Sequence, residues 1–142
     1  MKIKTLLIAN RGEIACRIAH TARASGITPV GVHSEADANA LHVREIGQSV
    51  CIGAGPASES YLKIDAVIAA AKSVGADAIH PGYGFLSESA YLAEACDACR
   101  ITFIGPPADV LRLLGDKSRA RRAMRKAGLP VIPGTESLKD VK

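Results

Sequence analysis

A chain of 142 residues has the length of one domain and can enclose a substantial core. It is 48% hydrophobic, yet no apolar run approaches the eighteen or so residues that a bilayer requires, so no membrane-spanning helix is expected. The net charge of +4 permits anionic ligands without demanding them, and 4% aromatics with no tryptophan argues against a base-stacking nucleic-acid surface. The 4 cysteines share no framework spacing, which suits a reducing cytoplasm. Two lysines, Lys2 and Lys4, precede an apolar stretch, but Asn10-Arg11 ends it without a small-residue cleavage site, so export is not expected.

Taken in order, residues 3–9 are a short apolar run bounded by Asn10-Arg11-Gly12 and read as a buried parallel strand. Residues 13–24 carry Ile14, Ile18 and Ala22 at helical spacing and are stopped by Gly26. A second strand is expected over 29–33, then a short helix over 38–45 with Leu41 and Ile46 turned inward. A third strand over 49–52 is closed by Gly53-Ala54-Gly55-Pro56. A strongly apolar helix over 65–74 ends at Gly75 and leads to a strand over 76–79. A helix over 89–98, a strand over 101–104 and a helix over 109–114 follow. Asp116 caps a helix over 117–127 that Gly128 and Pro130 terminate. Residues 131–132 open one more strand, and the polar stretch 135–142 reads as an interrupted connection. Strands separated by helices throughout predict an α/β fold, an open parallel sheet with right-handed crossovers and helices on both faces.

Chemistry concentrates in His80-Pro81-Gly82-Tyr83-Gly84-Phe85-Leu86-Ser87-Glu88-Ser89-Ala90. This string leaves the carboxyl end of the 76–79 strand, the end at which such folds bind ligands. A proline and two glycines force a sharp turn, and a histidine, a tyrosine and a glutamate ride on it. Each residue singly fits a plain turn with Ser87 as the cap of the next helix. The whole string does not.

Other motifs are weaker. The first strand–turn–helix holds only Gly12 of the three glycines in a dinucleotide fingerprint, with Arg11 and Glu13 in the space a pyrophosphate would use. Glu35 and Asp37 stand near the place of a ribose-binding acid, but a nicotinamide or flavin enzyme is not expected on that match alone. Gly115-Asp116-Lys117-Ser118 departs from a P-loop because Asp116 intervenes and a helix precedes it. A lysine opening a helix opposes the helix dipole, so Lys117 is either solvated or a phosphate contact. The basic face Lys117–Lys126 reads as a solvated helix surface, with nucleic-acid binding as a minor alternative. Cys96-Asp97-Ala98-Cys99 falls at a helix end rather than a helix start, so its thiols read as packing groups. His20, His33 and His42 have no spaced partners and receive no role.

The chain resembles the N-terminal domain of biotin carboxylase, as found in acetyl-CoA, propionyl-CoA, methylcrotonoyl-CoA and pyruvate carboxylases. The resemblance is carried by Ile8-Ala9-Asn10-Arg11-Gly12-Glu13-Ile14-Ala15, the string 80–90, Phe103-Ile104-Gly105-Pro106 and Gly115-Asp116-Lys117. Ser58-Glu59-Ser60-Tyr61-Leu62 and Ala127-Gly128-Leu129-Pro130 follow the family too, while Ser89 and Leu114 replace its usual asparagine and methionine. The resemblance implies a Rossmann-like domain over 1–134, ahead of an ATP-grasp domain whose linker begins at 135–142. It implies a ligase that uses ATP, Mg2+ and bicarbonate to make carboxyphosphate and then carboxylates biotin on a carrier protein, in concert with a carboxyltransferase. Carried over by position, Lys117 contacts the ATP phosphates, Tyr83 and Gly84 border the biotin pocket, and His80 and Glu88 shape that loop. The family's metal-binding glutamates and catalytic base belong to the ATP-grasp part, so this stretch is expected to be inactive alone, with no catalytic or metal-ligating residue of its own. A stand-alone binding module on the same scaffold is the alternative expectation.

Overall fold

The computed structural model describes residues 2–133; Gly134 and the expected linker at 135–142 lie outside the described residues. Chain order runs β1 (Thr5–Ile8), α1 (Gly12–Ala24), β2 (Thr28–His33), α2 (Leu41–Ile46), β3 (Ser49–Cys51), α3 (Ile64–Ser73), β4 (Ala78–His80), α4 (Ala90–Ala98), β5 (Thr102–Phe103), α5 (Ala108–Leu114) and α6 (Lys117–Lys126). Short 3-10 turns at Glu35–Asp37 and Ala57–Glu59 interrupt the connections on either side of β3. Every ladder is parallel, and the strand order is β3-β2-β1-β4-β5. This is the doubly wound α/β sheet that the alternation predicts.

Period-two alternation divides the core. Leu7, Val30, Val32 and Ile79 point to one face, against Val67 and Ala71 of α3 and Leu92 and Cys96 of α4. Leu6, Ile8 and Ala78 point to the other, against Ala15, Ile18 and Ala22 of α1 and Ile46 of α2. β1 lies between β2 and β4, so Leu7 and Ile8 are fully buried, which is why residues 3–9 read as a continuous apolar run. A Cβ added at Gly31 would come within 3.1 Å of Ile46 Cδ1, so the missing side chain lets α2 approach β2 closely.

Three expectations are corrected. Leu41 does not face inward; it is 58% exposed, and the fully buried His42 takes the inward position. Positions 42 and 46 are one helical turn apart and share a face, whereas 41 and 46 do not. The His42 Nε2–H donates to Val32 O at 3.1 Å, and its Nδ1 has no protein partner. The cap of α4 is Ser89, whose Oγ accepts the Leu92 N–H at 3.2 Å; Ser87 instead donates its N–H to Gly84 O within the loop. Residues 131–132 form no strand: Ile132 is 86% exposed between Pro130 and Pro133, neither of which has an N–H to give a ladder. The expected cap at Asp116 is present, its Oδ1 accepting the N–H groups of Ser118 and Arg119 at 2.9 and 3.0 Å.

Candidate functional site

The chain leaves β1 for α1 on one face of the sheet and leaves β4 for α4 on the other. Because β1 and β4 are neighbours, their exit loops diverge and open a crevice at the carboxyl edge, the switch point at which such sheets bind ligands. The 80–90 string enters this crevice from β4, and Asn10-Arg11-Gly12-Glu13 faces it from β1.

Asn10 joins the two loops. Only 3% exposed, it donates from Nδ2 to Pro81 O at 2.7 Å and to Tyr83 O at 2.8 Å, while its Oδ1 accepts the Arg11 N–H at 2.9 Å. The amide thus spends both donors on one loop and its acceptor on the other. Gly82, with φ of +66°, leans on this amide so closely that a Cβ there would sit 2.8 Å from Asn10 Nδ2. Only glycine fits.

The next support is a stack. Phe85, at a φ of +40° that non-glycine residues seldom adopt, lays its ring on Tyr61 with centroids 5.0 Å apart and planes 13° from parallel. The Arg11 guanidinium lies 5.9 Å from the Tyr61 ring centroid. Arg11 also grips Asp37, with Nε donating at 2.8 Å and a terminal nitrogen at 2.5 Å. Tyr61 OH donates to the same carboxylate at 2.7 Å and accepts the Ser34 N–H at 3.1 Å, and the Ser34 hydroxyl donates to Asp37 at 3.1 Å. The hydrogen bonds from Arg11 bring the Asp37 carboxyl down to about 2, against the opposing effect of burial. Burial, reinforced by the Asp37 hydrogen bond, pushes the Tyr61 phenol up to about 12. The acid nearest the place of a ribose-binding residue is therefore saturated by partners from its own chain.

His80, Tyr83 and Gly84 lie in this cluster. His80 is half-buried at the end of β4; its Nδ1 accepts the Gly82 N–H at 3.0 Å and so folds the turn onto its own ring. Burial lowers its pKa and favours the neutral ring that this acceptor role needs. Tyr83 is 60% exposed, and its hydroxyl donates to the Glu13 carboxylate, which raises the pKa of the phenol. Gly84, at φ +65° with open space where a Cβ would go, lines a shallow cleft of about 360 Å³ with Asn10, Gly12, Glu13 and Tyr83.

Two expected residues stand apart. Glu88 is exposed at the far end of the loop, just before the Ser89 cap, and takes no part in the cluster. Lys117 is the exposed first residue of α6, which packs against α5, which packs in turn against α4. Its neighbours' amides are already held by Asp116, so an anion there would meet the ammonium group rather than a free amide pair. Sequence reading missed Asn10, Glu13, Tyr61, Phe85 and Asp37 as supports. The one local signal was a polar Asn-Arg directly after a fully apolar strand.

Cys96 is fully buried in the core and burial pushes its thiol up to about 12, in keeping with a packing role. Among the described residues no three His, Cys, Asp or Glu side chains converge to hold a metal ion, and no helix is long and apolar enough to cross a membrane.

Comparison with known proteins matches residues 2–111 to the family described as biotin carboxylase, N-terminal domain. Biotin carboxylase of Haemophilus influenzae is 54% identical over 134 residues, which are 94% of this chain and 30% of that protein. The mitochondrial methylcrotonoyl-CoA carboxylase subunit alpha of Oryza sativa subsp. japonica is 54% identical over 132 residues, 93% of this chain and 18% of that one. Among solved structures, the biotin carboxylase domain dimer of Hydrogenobacter thermophilus 2-oxoglutarate carboxylase, in complex with MgADP, ADP and bicarbonate, superposes with a TM-score of 0.90 at 42% identity, over 96% of this chain and 30% of that one. The chain thus spans less than a third of these relatives, and its switch-point loops fall inside the matched stretch. It belongs to the biotin carboxylase N-terminal domain family.

Proposed function

We propose that residues 1–134 serve as the N-terminal domain of an ATP-dependent biotin carboxylase, joined through 135–142 to an ATP-grasp domain in a longer polypeptide. The observation that supports this best is the rigid presentation of Tyr83 and Gly84 at the switch point, where their backbone and the phenol border an open cleft. In this reading ATP and bicarbonate supply an activated carboxyl group, and the ureido ring of carrier-bound biotin receives it beside Tyr83 and Gly84. His80 holds the turn, and Glu88, exposed just before the Ser89 cap, takes no part in it.

Lys117 binds the ATP phosphates by charge. The chemistry fits: an exposed ammonium group at a helix start attracts an anion without displacing the Asp116 cap. Among the described residues no His, Cys, Asp or Glu side chains converge into a cradle for magnesium; in this reading its ligands come from the ATP-grasp domain. A biotin carboxyl carrier and a carboxyltransferase are the partners, and a reducing cytoplasm fits the four free cysteines. Residues 1–142 alone are inactive in this reading, because positioning of the reactants needs groups from the missing domain.

The test is MgATP hydrolysis by the full-length polypeptide carrying this sequence, assayed with bicarbonate and free biotin. Biotin-dependent turnover is expected, and Lys117→Ala is expected to raise KM for MgATP about tenfold while leaving KM for biotin in place, the loss of one charge-assisted contact. No biotin-dependent turnover in the wild-type protein would sink the reading. An unchanged KM for MgATP in the variant would remove Lys117 from it.

A further inference from the structure

In a dinucleotide-binding sheet the turn after β1 cradles a pyrophosphate. Here the turn has other partners. Asn10 holds the carbonyls of Pro81 and Tyr83, Arg11 backs the Tyr61 ring on which Phe85 stacks, and Glu13 accepts the Tyr83 hydroxyl. Asn10 and Glu13, from the turn and the first turn of α1, bond residues 81 and 83 directly, and Arg11 reaches Phe85 through the Tyr61 ring. We infer that the β1–α1 turn acts as a clamp that sets the conformation of the 81–85 loop, with Asn10 as its central positioning residue.

The geometry makes Asn10 hard to replace. Two carbonyl oxygens converge on one side-chain nitrogen at 2.7 and 2.8 Å, and an amide is the smallest neutral group that supplies two donors to both while offering an acceptor to Arg11 N. Gly82 packs directly against that amide, so the φ of +66° at Gly82 and the position of the Tyr83 carbonyl are set together. The inference rests on the reading that Tyr83 and Gly84 face biotin. If they do, Asn10 governs biotin affinity through the loop it holds, and ATP binding at Lys117 on α6 is indifferent to it.

Asn10→Asp keeps the size and turns a double donor into a carboxylate facing two carbonyl oxygens. In the full-length polypeptide we expect KM for free biotin to rise about tenfold or more, with KM for MgATP within about twofold of wild type. Asn10→Ser, uncharged and with one donor left, covers the case in which the aspartate variant does not fold; it should raise KM for biotin about threefold to tenfold. A folded variant with both KM values unchanged, or one that loses kcat alone, would overturn the inference, since a merely structural asparagine would act in that way. A second readout needs no activity. In the 142-residue chain, Asn10→Ser should speed amide hydrogen exchange at Gly82 and Ser87, whose N–H groups are bonded within the loop to His80 Nδ1 and Gly84 O. Unchanged exchange would overturn the clamp itself. Faster exchange in a protein without biotin-dependent turnover would leave the clamp standing and remove only the biotin reading.

Discussion

The chain up to Ile101 and the chain after Pro107 are held by different forces. Every buried apolar side chain among the described residues lies between Leu6 and Ile101, on two faces of one sheet. The helices α5 and α6 bury no residue; Leu114 is 50% exposed, and α6 has a strongly basic face over one partly covered stripe. The first region takes its shape from the hydrophobic effect. The second takes it from caps, dipoles and contact along one side. Tyr83 and Gly84 stand on the rigid region and Lys117 on the lightly held one, so the proposed biotin side is preformed and the proposed ATP side depends on what α6 packs against.

The largest test of this contrast is truncation of one leucine on each side. Leu7 is fully buried in the central strand, and Leu7→Ala should cost about 3 kcal/mol through lost transfer energy and a residual cavity. Leu114→Ala should cost under about 0.5 kcal/mol, as an exposed position does. Urea unfolding midpoints measure both. Equal losses would mean that α5 belongs to the same cooperative core and that the division is wrong.

Much of the sheet region is legible in sequence because its signals are local. Apolar runs such as 3–9 and 76–79 announce buried strands, and the dense string 80–90 marks the ligand edge. What sequence does not reveal is pairing. Asn10 meets Pro81 and Tyr83 across 71 and 73 positions, and Tyr61 meets Asp37 across 24. The Asn10 contacts exist only because β4, not β3, lies beside β1, and a crossover order cannot be read from any window of residues. Short elements mislead for another reason. A six-residue helix offers less than two turns of pattern, so the sequence turns Leu41 inward when His42 holds that face of α2. Apolar Val131 and Ile132 carry strand propensity, but among the described residues no partner strand lies beside them, and propensity without packing decides little.

A smaller effect should follow from acid. The Asp37 carboxyl titrates near 2 in the folded chain, against 3.8 as its ordinary value, chiefly because Arg11 donates to it. A lowered carboxyl contributes stability that is fully present above about pH 4 and lost as the pH falls toward about 2. Arg11 is half-exposed, so solvent screening leaves about 1–2 kcal/mol. Asp37→Asn removes that slope. The stability difference between wild type and variant should shrink between about pH 5 and about pH 2.5, while Asp77 and Asp116, present in both, cancel. A constant difference would mean that the Asp37 carboxyl is not held below its ordinary range in the folded chain. It would also detach the stack of Arg11, Tyr61 and Phe85 from the electrostatics of the sheet region.

The smallest effect tests the lightly held region by itself. Asp116 caps α6 through the N–H groups of Ser118 and Arg119, and those bonds hold its carboxyl below the usual range. Asp116→Ala should cost the helix about 1 kcal/mol. Because α6 buries nothing, that loss should remain local. Amides of α6 should exchange about fivefold faster, while the urea midpoint of the whole chain stays where it was. A midpoint that falls with the cap would show α6 unfolding together with the sheet. Lys117 would then be as firmly placed as Tyr83, and the proposed ATP contact would be preformed rather than dependent on what else packs on α6.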